Sequence, residues 1–212
     1  LTMIGANTTS INLATAILIA PLRSPALLAK TAASLDAMSN GRLELGVGLG
    51  WQQEEYEASG IAFDNRAKIF WETLDICKLL WEGGPVSYQG EMFEFNDIWC
   101  QPKPAQGRDI PLLFGVKMTE SNALKIAKVG HGWIPIKTSR DFISEGRAML
   151  EKAFQEEGRQ DKPRIRGQLP TCLDSNGVPS VDLTLKELEK SMDAGLGEIE
   201  VFPINFAQSP EH

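Results

Sequence analysis

Ser39-Asn40-Gly41-Arg42-Leu43-Glu44-Leu45-Gly46-Val47-Gly48-Leu49-Gly50-Trp51 is the stretch on which the fold of this chain turns. Asn40-Gly41 stops a helix and Leu43–Val47 reads as a short apolar strand. Gly46, Gly48 and Gly50 then alternate through the loop beyond it. Glycine permits φ > 0 and carries no Cβ, so such a loop lets backbone come close to a flat or phosphorylated ligand. Three readings compete: a dinucleotide-binding turn, a tight β–α turn that needs glycine for its geometry alone, and a ligand loop at the carboxyl end of a barrel strand.

A dinucleotide fingerprint requires G-x-G-x-x-G directly after a strand and an acidic residue about 20 positions further on. Gly46 and Gly48 fit, but Trp51 stands at the third glycine position and Gly50 falls one place early. Where the acid-tipped second strand should lie, the sequence has the helical pattern Ile69–Trp81. An NAD-binding open sheet would need Gly46–Gly50 to open straight onto a helix beside a carboxylate.

Working outward, Ile11–Ile19 is apolar at nearly every position, as in a strand covered on both faces. Ser24-Pro25 opens a helix with Leu28, Ala32, Leu35 and Met38 as its inner stripe. Gln52–Ser59 is a short polar helix. Asp64 caps a long one with the stripe Ile69, Thr73, Ile76 and Leu80, stopped by Gly83-Gly84-Pro85. Val86–Tyr88 and Phe93–Phe95 predict a hairpin inside an excursion at about 83–110.

The remainder alternates strand and helix. Strands are expected at Pro111–Gly115, Trp133–Ile136, Arg164–Leu169 and Glu198–Phe202. Helices are expected at Thr119–Val129, at Ser139–Glu157 with Ile143, Leu150, Ala153 and Phe154 inward, and after a capping box at Thr184–Glu187 with Leu185, Leu188 and Met192 inward. Six strands in βαβ rhythm predict an α/β fold with a parallel sheet, either open and doubly wound or part of a TIM-type (β/α)8 barrel. Residues 1–212 are expected to form one domain.

Composition excludes several classes of function. The 212 residues carry 21 Lys and Arg against 28 Asp and Glu, a net charge of −7 with no basic stripe, which argues against nucleic-acid or membrane partners. Cys77, Cys100 and Cys172 lack metal or redox spacing and read as reduced thiols of a cytoplasmic protein, Cys77 in a helix core. With only two histidines, no histidine-rich metal site is expected. The apolar run Ala14–Pro21 is too short to span a bilayer.

An ordered series of motifs then carries a resemblance. Pro21-Leu22-Arg23-Ser24-Pro25, Leu35–Arg42, Gly46–Trp51, Glu54-Glu55-Tyr56, Phe63-Asp64-Asn65-Arg66, Glu72, Leu80-Trp81, Val86–Gly90, Pro102-Lys103-Pro104 and Gly130-His131-Gly132-Trp133 follow one another as in the bacterial luciferase-like monooxygenase superfamily. The chain is most similar to its deazaflavin-dependent branch, closely to about Pro135 and by rhythm beyond it.

The resemblance implies a TIM-type barrel, partial at about six strands, binding coenzyme F420 in preference to FMN at the carboxyl ends of its strands. It implies a non-prolyl cis peptide in Ala16-Ile17-Leu18, against the cofactor ring. Gly48-Leu49-Gly50 matches the fourth-strand loop that touches the ring. Gly115-Val116 stands where a Gly-Gly pair is usual near the phosphate-bearing tail; Lys117 would supply charge in its place, and Ile136 would line the tail pocket. Each has a plainer reading. Ile17 and Leu18 suit simple barrel core, and Lys117 suits a solvated surface. Glu54, Glu55 and Arg66 suit a structural ion pair anchoring the loop after the fourth strand, and His131 suits a turn.

Matched to the family, Ile11–Ile19 is the third barrel strand, so two strands are expected ahead of Leu1 and a helix after Phe202. The acid/base residues of deazaflavin-dependent relatives come largely from the end of the second strand, so the resemblance assigns no catalytic residue to this chain. The expectation is a flavin- or deazaflavin-dependent oxidoreductase or monooxygenase acting on a small organic substrate. Its open strand edges would be covered in a homo-oligomer, a dimer. The alternative is a truncated, non-catalytic barrel serving as a binding or oligomerisation module.

Overall fold

The computed structural model describes residues 1–202 and 205. By its internal contacts the chain divides into two compact units, Leu1–Leu112 and Leu113–His212.

The first unit runs α1 (Thr2–Asn7), β1 (Leu13–Ile19), α2 (Pro25–Met38), β2 (Leu43–Gly48), α3 (Gln53–Ala58), α4 (Arg66–Glu82) and the strands β3 (Pro85–Gln89) and β4 (Glu94–Trp99). β1 and β2 are parallel, with Leu13 opposite Leu43. Every residue of β2 is buried, Glu44 included, and Asn12 Nδ2 donates to Glu44 Oε1 at 3.0 Å. α2 starts at Pro25, whose fixed φ suits the first helical position, with Ser24 as N-cap. Asn40 and Gly41, at φ 58° and 78°, end the segment in left-handed backbone as the Asn-Gly pair predicts.

Two polar clamps hold the turn between α2 and β2. Asp36 is fully buried, and its carboxylate accepts from Leu43 N at 3.3 Å, Gln106 N at 2.9 Å and Gln106 Nε2 at 2.7 Å. The Arg42 guanidinium donates to the carbonyls of Gly5, Thr8, Ile11 and Ser39, tying α1 to the start of β2. α4 buries Ile69, Phe70, Thr73, Leu74, Ile76, Cys77, Leu80 and Trp81. Each large apolar side chain among them is worth about 1.5–3 kcal/mol of transfer free energy. Trp81 Nε1 donates to Ala29 O at 3.0 Å and so satisfies its one donor inside that core.

The predicted hairpin is present as the antiparallel pair β3–β4, with Tyr88 and Phe95 stacked at 5.9 Å. Its tip rests on α4: the Glu72 carboxylate accepts from the amides of Glu91, Met92 and Phe93. Gly90 is needed beside it, since a Cβ there would lie 2.4 Å from Glu72 Oε2.

The second unit runs β5 (Leu112–Gly115), α5 (Glu120–Val129), β6 (Gly132–Trp133), α6 (Arg140–Glu156), β7 (Arg164–Gln168), α7 (Val181–Asp193) and β8 (Glu198–Glu200). β5 pairs with β6, β6 with β7 and β7 with β8, all parallel. Thr119 caps α5 by accepting from Asn122 N. Ile143, Leu150, Ala153 and Phe154 face inward from α6 as expected. Gly146 lets α6 approach Trp133, whose ring atoms would lie 2.4 and 2.5 Å from a Cβ there.

Four expectations are corrected. β1 exposes Ala14, Ala16 and Ile17: Ala14 and Ala16 alternate with the buried Leu13, and the register shift between Thr15 and Leu18 takes Ile17 out of that alternation. Met38, at the last turn of α2, is exposed. α4 starts at Arg66, preceded by a 3-10 turn over Phe63–Asn65 that takes up Asp64. α7 starts at Val181 under Ser180, whose hydroxyl accepts from Leu183 N, so the Thr184 capping box does not form. That start turns Thr184 and Ser191 inward and leaves Leu185 and Met192 exposed. The Ser191 hydroxyl donates to Thr138 O, which offsets its burial.

Candidate functional site

In the first unit the candidate residues gather at the carboxyl ends of β1 and β2. The register pairs Thr15 with Leu45 and then Leu18 with Val47, so Ala16 and Ile17 together oppose Gly46. The extra residue makes a bulge, which turns side chains away from the ladder. Thr15 Oγ1 donates to Gly46 O at 2.8 Å across this irregularity. The Ala16–Ile17 peptide bond is cis, inside the stretch where the resemblance implies one. Ala16 and Ile17 are exposed and Leu18 is half-buried.

β2 ends at Gly48, and Leu49 and Gly50 continue the loop half-buried. Gly50 adopts φ +73°, and a Cβ there would approach Ile19 Cγ2 to 3.0 Å. The rim built by Ala16, Ile17, Leu18, Gly48, Leu49 and Gly50 therefore carries no charged side chain. Beyond it Trp51 is 84% exposed.

The loop is held from α3 by Tyr56, a residue to which the motif series gives no role. Tyr56, buried and the only aromatic residue of that short helix, donates from its hydroxyl to Leu49 O. Burial pushes its phenol pKa up, against the pull of Arg66. Its ring meets Phe63 edge-on at 5.2 Å, and Arg66 lies 3.7 Å over the Phe63 ring and donates to Phe63 O. This aromatic stack anchors the loop in place of the expected Glu54–Glu55–Arg66 ion pair. Both glutamates stay exposed, where an ion pair gains little.

In the second unit, Gly115 ends β5 half-buried and Val116 is buried. Trp133 Nε1 donates to Val116 O at 2.9 Å, and Asn122 Nδ2 donates to Lys117 O at 2.9 Å, so both carbonyls after the strand are held. The Lys117 side chain is exposed, three residues ahead of the first residue of α5. Ile136 is 78% exposed, and β6 stops at Trp133, shorter than expected. A cleft of about 610 Å³ lies at the end of α6, lined by Arg147, Phe154, Arg159 and Pro163. It precedes β7, at the amino end of that strand, and holds none of the candidate residues.

Among the described residues no group of three His, Cys, Asp or Glu side chains could hold a metal. No helix among them is long and apolar enough to cross a membrane. The described cysteines are free, with Cys77 and Cys100 buried.

Comparison with known proteins agrees with the motif series. The family model of luciferase-like monooxygenases matches residues 1–177. An uncharacterized protein of Mycobacterium tuberculosis is 37% identical over 176 residues, which is 82% of this chain and 60% of that protein. The chain thus spans about 60% of the length of such curated relatives. An F420-dependent secondary alcohol dehydrogenase, solved with an F420–acetone adduct, superposes with a TM-score of 0.80 at 19% identity, over 94% of this chain and 76% of that one. The oxygenating constituent of 3,6-diketocamphane monooxygenase from Pseudomonas putida, solved with FMN, gives a TM-score of 0.68 at 18% identity, over 81% of this chain and 51% of that one.

The chain belongs to the luciferase-like monooxygenase family. Its fold is the α/β fold of that family, a partial TIM-type barrel.

Proposed function

We propose that this protein is a flavin- or deazaflavin-dependent oxidoreductase acting on a small organic molecule, with coenzyme F420 favoured over FMN. The observation that carries the reading is the β1 bulge, which turns Ala16 and Ile17 out of the ladder beside the glycine rim Gly48–Gly50. An uncharged rim with no Cβ at Gly50 fits the face of a flat ring better than it fits a phosphate or a metal.

When bound, the cofactor ring supplies hydride transfer to or from the substrate. The chain's own part is to hold that ring. Ala16, Ile17 and Leu18 press on it from β1. Gly48, Leu49 and Gly50 line it from β2, and Tyr56 keeps Leu49 in place. Gly115, Val116 and Lys117 are assigned to the phosphate-bearing tail, with Ile136 beside it. The preference for F420 rests on motif style, and the named structural neighbours include users of either cofactor. The proposal extends to a homodimer in the cytoplasm, and the apolar Val181, Leu185 and Met192 exposed along α7 are consistent with a covered face.

Fluorescence titration of the protein with F420 and with FMN, separately, tests the reading. Saturable binding of F420 with weaker binding of FMN is expected. Gly50→Val, which places a branched side chain at φ +73°, is expected to weaken it at least about tenfold. Binding of neither cofactor would overturn the proposal.

A further inference from the structure

The cleft at the end of α6 is walled by that helix and by the loop Arg159–Pro163, which leads into β7. Its volume of about 610 Å³ falls in the range of small-molecule sites. Both walls are held in place. Arg159 clamps the loop: its Nη1 donates to the carbonyls of Ala127 and Gly130 at 3.0 and 2.6 Å, and its Nε and Nη2 take both oxygens of Asp161. The same guanidinium covers the Phe154 ring at 3.9 Å. On the helix, Arg147 Nε donates to Glu151 Oε1 at 2.7 Å. Arg147 also lies against Gly195, where a Cβ would stand 2.4 Å from its Cδ and 2.6 Å from its Nη1. The backbone after α7 thus pins Arg147 from a second side.

The charges lining the cleft are unequally spent. Arg147, Arg159 and Lys162 stand against Glu151 and Asp161, one positive charge in excess, in a chain of net charge −7. Asp161 gives both oxygens to Arg159, whose hydrogen bond holds its carboxyl pKa low, and Glu151 is taken by Arg147. The acidic residues around the cleft are paired as well. Glu156 meets Lys152, and Glu157 meets Lys128. Past Pro163, Arg164 and Arg166 both donate to Glu198; burial pushes its carboxyl pKa up, and these hydrogen bonds outweigh this and hold it low. Glu200 lies further on, as the last residue of β8, its carboxyl pushed up by burial against the pull of Arg166. Among the described residues the cleft therefore keeps Arg147 Nη1 and Nη2 and the Lys162 ammonium uncommitted, with the amides of Gln155 and Gln160 beside them.

We propose that this cleft binds the anionic group of a small molecule, a carboxylate or a phosphate, with the Arg147 guanidinium as its fixed donor and Lys162 as a second cation. A planar guanidinium already held in place offers its terminal nitrogens to an oxyanion with little further loss of freedom. The Arg147 side chain is 36% exposed, open to a ligand yet partly desolvated, which strengthens a charge-assisted bond over one at a free surface. A cationic ligand would meet three positive side chains and two carboxylates already engaged. An apolar one would find the Phe154 ring covered by Arg159. The cleft precedes β7, at the end of that strand away from the carboxyl face where barrel folds place their catalytic groups, so the site goes beyond the cofactor reading and does not rest on it.

The test uses proton–nitrogen NMR of the arginine side chains of the full chain, with Arg147→Lys identifying the Arg147 Nε signal by its loss. Inorganic phosphate, acetate and methylammonium are added separately, at an ionic strength held constant with sodium chloride. The Arg147 signal is expected to shift saturably with phosphate, with acetate or with both, and not with methylammonium; the tighter anion names the group. Lys162→Gln, a change at an exposed side chain, is expected to weaken the anion about three- to tenfold, and Lys162→Arg to recover most of the loss. Lys186→Gln, at an exposed lysine outside the cleft, removes the same charge and is expected to leave the affinity unchanged. No saturable shift with either anion, a matching response to methylammonium, or equal weakening by Lys186→Gln and Lys162→Gln would overturn the site. No cofactor enters the measurement, so failure here is distinguishable from failure of the proposed function.

Discussion

The Thr15 hydroxyl donates to the Gly46 carbonyl at 2.8 Å, at the point where β1 carries one residue more than β2. The bulge takes Ala16 and Ile17 out of step with the ladder, and a side-chain bond supplies a partner for Gly46 O there. Thr15→Val keeps the β-branched shape and removes the donor. It is expected to cost about 1–2 kcal/mol, read as a lowered urea midpoint with an unchanged slope. Thr15→Ser should keep the bond and recover most of the loss.

Asp36 closes the turn ahead of the glycine strand. Its buried carboxylate gathers the amides of Leu43 and Gln106 and the Gln106 side chain. Asp36→Ala strands these donors and is expected to destabilise by roughly 3 kcal/mol or more. Asp36→Asn should cost less, because one carbonyl oxygen remains to accept. Chemical denaturation of the two variants in parallel checks the order.

Gly146 and Trp133 bind α6 to β6, and Trp133 in turn holds Val116 O. Gly146→Ala would place a methyl group 2.4 Å from the indole and force the ring to move. A loss of about 1–3 kcal/mol is expected, accompanied by a change in tryptophan fluorescence of the folded protein. Trp133→Phe should produce part of the same loss by freeing the Val116 carbonyl.

The β7–β8 ladder predicts opposed pH effects. The Glu198 pKa is depressed in the fold, so its stabilisation is present above its unfolded pKa and is lost as pH falls through the folded value. The Glu200 pKa is raised, so its contribution is present below its unfolded pKa and is lost as pH rises through the folded value. Glu200→Gln is expected to flatten the alkaline decline in denaturation midpoint above the ordinary glutamate range. Glu198→Gln is expected to lower the midpoint at neutral pH and to weaken the acid-side dependence, to which Asp161 and Asp174, also held low, still contribute. Midpoints measured from about pH 3 to 8 decide both.

Local signals carry much of the fold. Pro25 at the start of α2, Asn40-Gly41 at its end and Thr119 at the cap of α5 each act within a turn or two of chain, and the four-residue stripe of α4 repeats at helical spacing. Such signals are visible as spacing. The α7 start is not, because Ser180 and Thr184 offer equivalent caps and only burial of Thr184 and Ser191 chooses between them. The loop anchor is hidden for a related reason: Glu54, Glu55 and Arg66 pair on charge alone, whereas the Tyr56–Phe63–Arg66 stack depends on rings meeting in space.

By itself, then, the sequence determined the α/β rhythm, the glycine rim after Leu45 and, through its ordered motifs, the family. Periodicity, caps and turn residues are local properties and survive translation into one dimension. The tertiary structure alone decided that Ala16 and Ile17 share one partner across the ladder, that Tyr56 holds Leu49, and that Arg164 and Arg166 saturate Glu198 while Glu200 Oε1 stays unbonded. Register, burial and hydrogen-bond satisfaction arise between strands distant in sequence, and no spacing along the chain encodes which acceptor is left over.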